Sequence, residues 1–223
     1  METVALILAG TPPQAGVLEE LRQRRVDLHQ GWLVPVQALV AADGAGECCL
    51  QADLLPDILT GDFDSISPAT LANFRKRTTV RKHMDQDCSD LAKGLQEIKL
   101  LQAQHVTILG YRGGRTDHLL SILATVRVND FPRSIALLDD DEIIHHLRPG
   151  DYNFITPPDQ LISLVTLSSS GARVTLHGAQ YPADNLLLPP GTRGISNRCH
   201  EGALTVSVRD NDVFLILNDR VAG

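Results

Sequence analysis

The chain has 223 residues, a length that fits one large domain or two small ones. Apolar residues make up 43% and aromatics only 4%, so a core can be buried, and it must rest on Leu, Ile, Val and Ala. The formal charge of -7 excludes nucleic-acid binding through a broad basic surface, which needs clustered Lys and Arg to displace counterions.

Residues 4–9 are a continuous apolar run that stops at Gly10, which predicts a buried strand. Val17, Leu18 and Leu21 give helical spacing over 17–25. Residues 36–42 read as a strand ending at Asp43 and Gly44, and 58–60 as a short strand ending at Gly61. A helix is predicted over 71–77. Leu91, Leu95, Ile98 and Leu101 recur at three- and four-residue spacing and predict an amphipathic helix over 90–104. A strand over 106–109, a helix over 118–128 and a strand over 135–138 follow.

Strands alternating with helices predict crossover connections and a mainly parallel sheet, a Rossmann-like α/β domain over 1–139. The texture changes at about residue 140. Short β-branched segments at 142–147, 162–167, 173–176, 204–208 and 213–217 are punctuated by Pro and Gly, which predicts a smaller all-β sandwich or barrel over 140–223. Cys48, Cys49, Cys88 and Cys199 include no C-x-x-C pair and read as thiols in a reducing compartment. The N-terminus METVALILAG lacks a basic leader, and no apolar run reaches the length of a membrane span. The expectation is a cytoplasmic protein with no membrane partner.

Ligands of parallel α/β sheets bind beyond the carboxyl ends of the strands. Three charged loops fall there. The first, 61–65, is GDFDS, whose Asp62 and Asp64 can direct carboxylates to a metal, although Asp and Gly are also ordinary turn residues. The second is DQDCSD at 85–90, where Asp87 is a candidate N-cap and Asp90 suits the positive end of the next helix. Three carboxylates in six residues repel one another, and magnesium, which prefers oxygen ligands, would satisfy them. The third is GYRGGRTDH at 110–118, where glycines allow backbone N–H groups to approach phosphates and Arg112 and Arg115 can neutralise them. A capping role for Thr116 or Asp117 is the plainer alternative. Neither a Walker A loop nor a G-x-G-x-x-G fingerprint occurs.

Four ordered blocks, PDILTGDFDSI at 56–66, DQDCSDL at 85–91, GYRGGRTDH at 110–118 and GISN at 194–197, resemble the thiamin pyrophosphokinase family. An Ala42, Asp43, Gly44 segment resembles the family's A-D-G. The resemblance implies a catalytic α/β domain, a thiamin-binding and dimerising β domain, and a homodimer with sites at the subunit interface. It implies transfer of pyrophosphate from ATP to the thiamin hydroxyl, with magnesium and ATP as cofactor and co-substrate. By position, it implies a metal set of Asp62, Asp64, Asp87 and Asp90. Asp43, Gly44, Gln86, Ser89, Gly113, Gly114 and His118 would contact the nucleotide, and Ser196 and Asn197 thiamin. Asp64, Asp90, Arg115 and Asp117 would be catalytic, with Asp117 or Asp90 open as the acceptor of the hydroxyl proton. His200 is the ring nearest the last block. The competing readings are a pyrophosphokinase for a pterin alcohol, a metal-dependent phosphohydrolase, and a non-catalytic nucleotide sensor.

Overall fold

The first apolar run becomes β1 (Thr3–Ile7), all five residues buried, and β4 (Ala38–Ala42) is buried throughout as well. Burial on both faces is the signature of a central parallel strand covered by helices. These strands belong to the first of two units, Met1–Asp140 and Asp141–Gly223, of a computed structural model. It describes residues 2–28, 32–85, 87–113, 115–191, 193–200 and 202–218.

In the first unit α1 (Ala15–Arg22) follows β1, and a hairpin of β2 (Arg25–Asp27) and β3 (Leu33–Pro35) precedes β4. Then come α2 (Ala45–Gln51), β5 (Ile58–Gly61), α3 (Pro68–Phe74), β6 (Thr79–Lys82), α4 (Asp90–Leu100), β7 (His105–Leu109), α5 (Thr116–Val128) and β8 (Ser134–Asp139). The strand order is β8-β7-β1-β4-β5-β6, every neighbouring pair parallel. The chain runs outward from β1 through β4, β5 and β6, then returns to the other side of β1 with β7. The crevice of such a reversal lies between the loops after β1 and β7.

The pleat sends alternate side chains to opposite faces. Ala5, Ile7, Leu39, Ala41 and Leu59 form one core with Leu21, Cys49 and Phe74. Leu6 faces α4, where a Cβ on Gly94 would lie 2.7 Å from its Cδ1, so α4 sits close because residue 94 has no side chain. Ser89 caps α4 by accepting from the Ala92 N–H, so the cap lies two residues beyond Asp87. Ser67 caps α3 with Pro68 in the first turn, a favoured pairing.

The second unit holds β9 (Glu142–Leu147), β10 (Gly150–Ile155), β11 (Leu161–Val165), β12 (Ala172–His177), β13 (Ala183–Leu188), β14 (Asn197–Arg198), β15 (Ala203–Asp210) and β16 (Val213–Asn218). They pair antiparallel in the orders β14-β11-β16-β9 and β10-β15-β12-β13. Buried residues alternate along β11 and β12, as expected of strands with one face inward. Among the described residues, no helix is long and apolar enough to cross a membrane.

Candidate active site

Asp43, Asp62 and Asp64 converge at the carboxyl ends of β4 and β5, each offering an oxygen within 4.8 Å of those of the other two. Adjacency of parallel strands brings this about: the Asp43 N–H donates to the Thr60 carbonyl at 2.7 Å, and Asp43 Oδ1 accepts the Phe63 N–H at 2.9 Å. Gly61 is required at the crossing, because a Cβ there would lie 2.9 Å from Asp43 Cβ and 3.0 Å from its Oδ1. Asp43 is buried while Asp64 is exposed, so the grouping opens outward from a fixed base. Gly44 lets the same turn pass Ala9 and Ser65, with 3.2 Å and 3.4 Å to their Cβ atoms from an added methyl. The next residues start α2, and Glu47 accepts from the Ser67 N–H at 2.6 Å and the Thr70 hydroxyl at 2.9 Å, which anchors the far end of the 61–67 loop.

The first turn of α4 faces this corner. Burial pushes the Asp90 carboxyl above its ordinary range, and the charges of Asp43, Asp62 and Asp64 push it the same way against Lys93. Lys93 is 3% exposed, with Nζ 2.9 Å from Asp62 Oδ2 and 3.8 Å from Asp90 Oδ1. Burial pulls the Lys93 ammonium down, but its bond to Asp62 and the charges of Asp62, Asp90 and Asp43 outweigh this and hold it above the usual lysine range. The bond to Lys93 holds the Asp62 carboxyl below the usual carboxylate range. Of the metal set implied by the resemblance, Asp62 and Asp64 fall within the three-acid grouping. Asp43, read from the sequence as a nucleotide contact, joins Asp62 and Asp64, while Asp87 and Asp90 stand outside the three-acid grouping. Asp87 is exposed, with its N–H donated to Asp85 Oδ1 in a local turn, and the Ser89 hydroxyl is occupied as the α4 cap. Gln86 lies outside the described residues.

The loops after β1 and β7 lock together backbone to backbone. Gly10 N–H donates to the Gly110 carbonyl at 2.9 Å and Thr11 N–H to the Arg112 carbonyl at 2.5 Å. A Cβ on Gly10 would fall 1.9 Å from the Arg112 oxygen, and one on Gly113 would lie 3.3 Å from Gly10 Cα. Arg112 is turned to Asp139 at 2.9 Å. Arg115 is the N-cap of α5 and supplies no side-chain cap; neither Thr116 nor Asp117 is the cap residue. Arg115 instead pairs with Asp117 at 2.6 Å, both exposed, and holds the Asp117 carboxyl down to about 2. His118 is exposed in the same first turn, and Gly114 lies outside the described residues.

In the second unit, a cavity of about 270 Å³ lies between the two sheets, lined by Ile162, Leu164, Val174, Leu176, Leu188 and Asn197 among others. Ser196 is exposed, in left-handed backbone at φ 57°, and its N–H donates to Ser163 Oγ at 3.1 Å. Asn197 is 7% exposed, and its amide is spent on the backbone: Oδ1 accepts the Tyr181 and Arg198 N–H groups, and Nδ2 donates to the Tyr181 carbonyl at 2.8 Å. Its direct part is thus to hold Tyr181, a residue that also lines the cavity and is 66% exposed. His200 is not among the lining residues. Tyr181 carries no motif, and Lys93 in sequence reads as one more lysine of a solvated helix face. Lys93 lies off the apolar stripe of Leu91, Leu95 and Ile98, so its burial left no signal in the sequence pattern.

Comparisons with known proteins follow this division. Residues 32–135 match the thiamin pyrophosphokinase catalytic domain, and residues 151–212 match the thiamin pyrophosphokinase vitamin B1 binding domain. Thiamin pyrophosphokinase 1 of Caenorhabditis elegans is 29% identical over 165 residues, covering 68% of this chain and 67% of that protein. Thiamine pyrophosphokinase of Bacillus subtilis is 28% identical over 185 residues, covering 79% and 85%. The crystal structure of the Bacillus subtilis thiamine pyrophosphokinase superposes with a TM-score of 0.77 at 24% identity, covering 99% of this chain and 100% of that one. Thiamin pyrophosphokinase from Candida albicans gives a TM-score of 0.78 at 18% identity, covering 98% and 93%. With two matched domains of one enzyme in the same order along the chain, the protein belongs to the thiamin pyrophosphokinase family.

Proposed function

We infer that the chain transfers the terminal pyrophosphoryl unit of ATP to the hydroxyl of thiamin, giving thiamin diphosphate and AMP. The observation that carries this reading is the grouping of Asp43, Asp62 and Asp64 at one sheet edge, inside the segment that matches the catalytic domain. A magnesium ion fits these residues. The donors are all carboxylate oxygens, and their mutual repulsion, felt at Asp90, is what a small divalent cation relieves. Asp43, Asp62 and Asp64 would hold it, and when bound it supplies charge neutralisation for the polyphosphate oxygens.

Phosphoryl-type transfer needs positioning and charge balance more than covalent help from the protein. The loops after β1 and β7 are joined backbone to backbone at the crevice where such sheets bind nucleotides, and Arg115 follows at the start of α5. Arg115 opposes the charge that grows on the leaving AMP. Asp117 orients Arg115 through its ion pair, and a carboxyl held at about 2 is a poor proton acceptor. That leaves Asp90 for the acceptor's proton. The cavity of the second unit, mostly apolar and lined in part by Tyr181, suits an aromatic acceptor, and the exposed Ser196 lies between its lining residues Ile195 and Asn197 in the chain. The working form on this reading is a cytoplasmic homodimer.

The test is a panel of acceptors with magnesium and ATP. AMP should accumulate with thiamin and not with a pterin alcohol. AMP or phosphate formed at the same rate without any acceptor would instead favour the phosphohydrolase.

A further inference from the structure

Lys93 stands out from the other lysines. A lysine side chain is almost never fully buried unless it is paired, because the ammonium loses its water. Here the residue is 3% exposed, on the side of α4 that also carries the buried Gly94 and Glu97. Its Nζ touches two carboxylates that belong to different elements, Asp62 of the loop after β5 at 2.9 Å and Asp90 of its own helix at 3.8 Å. Asp62 is thereby positioned through both oxygens, Oδ2 accepting from Lys93 and Oδ1 from the Asp64 N–H at 3.3 Å, each with a further lone pair for a cation. The corner gathers four carboxylates, Asp43, Asp62, Asp64 and Asp90, around this one buried ammonium.

We propose that Lys93 is a built-in counter-ion and positioning residue that holds Asp62 and Asp90 in place and offsets part of the charge a divalent cation would otherwise have to offset. The proposal rests on the magnesium part of the reading above. Because Lys93 and the cation oppose the same negative charge, each weakens the need for the other, and the coupling is reciprocal. Removing Lys93 should leave the acidic corner more dependent on the metal, whereas a lysine that merely packs against the sheet would show no such exchange.

The experiment is thermal unfolding of the full chain without substrates, with and without magnesium, for the wild type, Lys93→Met, Lys93→Arg, Asp62→Asn and the Asp62→Asn/Lys93→Met double variant. Lys93→Met should melt lower without metal, and magnesium should raise its Tm by about 2–4 °C more than it raises that of the wild type. Lys93→Arg should keep most of the wild-type behaviour. The double variant should melt higher without metal than Lys93→Met, since the charge left unopposed is gone. Equal magnesium shifts in the wild type and Lys93→Met, or a double variant no better than Lys93→Met, would overturn the proposal. Should Lys93→Met not fold without metal, a folded double variant supports the proposal and an unfolded one overturns it. A wild-type Tm indifferent to magnesium would overturn the metal reading and this proposal together, while turnover of thiamin would be judged by its own assay.

Discussion

Asp64 is the exposed member of the acidic grouping, and its Oδ1 accepts from the neighbouring Ser65 hydroxyl at 2.8 Å. Little of the fold depends on it. Asp64→Asn, which keeps the volume and removes the charge, should abolish turnover while the Tm stays within about 2 °C of the wild type, since exposed substitutions seldom exceed ~0.5 kcal/mol. Near-normal turnover at saturating magnesium would remove Asp64 from the site. Asp117 gives a pH prediction. Its folded pKa lies below its unfolded one, so any contribution of its ion pair is complete above the unfolded value and is lost only as pH falls through about 2. Asp117→Asn should therefore lower kcat and leave the acidic limb of the pH–rate profile in place; a displaced limb would make Asp117 a titrating group of the reaction. At this scale the sequence shows Asp62 and Asp64 readily, because a D-x-D after an apolar strand is a local pattern. That Asp43 joins them depends on β4 and β5 being parallel neighbours, and that Lys93 neutralises Asp62 spans 31 residues of chain. Neither relation is local.

Elements with a strong apolar period were legible: β1, β7 and α4 lie close to where their patterns put them. The unread ones have physical reasons. Helix α2 is made of small residues and cysteines with no wide apolar stripe, and after Asp43 and Gly44 it reads as a turn. Strand β6 ends the strand order of its unit and is mostly exposed, so its Thr79, Arg81 and Lys82 show no alternation of burial to detect. The β2–β3 hairpin is only three residues a side. The contact between the loops after β1 and β7 was invisible for another reason, since it is made by backbone and by the absence of side chains. It gives a paired prediction. Gly10→Ala puts a methyl into the Arg112 and Gly110 carbonyls, and should cost about 1–3 kcal/mol of stability and raise KM for ATP more than KM for thiamin. Gly16→Ala, on helix α1 with open space around it, should add roughly 0.5–1 kcal/mol and leave both KM values alone. Urea unfolding and steady-state kinetics read both; a Gly10→Ala enzyme with unchanged KM for ATP would detach this loop from the nucleotide.

At the scale of the whole molecule, the acidic grouping belongs to the first unit and the Tyr181 cavity to the second. The homodimer with shared sites that the family resemblance implies can be tested by complementation. Tyr181→Ala should raise KM for thiamin without changing that for ATP. Mixing such chains with Asp64→Asn chains, under conditions that allow exchange, should restore part of the activity at low thiamin, because one site of each mixed dimer then carries neither change. No recovery, with exchange verified, would place each site within one chain. The central claim is that the two outer phosphorus atoms of ATP move together, with attack at the β-phosphorus and AMP as the leaving group. Its most direct measurement is a single turnover with thiamin and ATP labelled at the β-phosphorus. The account predicts that the label appears in thiamin diphosphate, one equivalent for each AMP formed; label retained in ADP, or released as free phosphate or pyrophosphate while thiamin is unchanged, would contradict it.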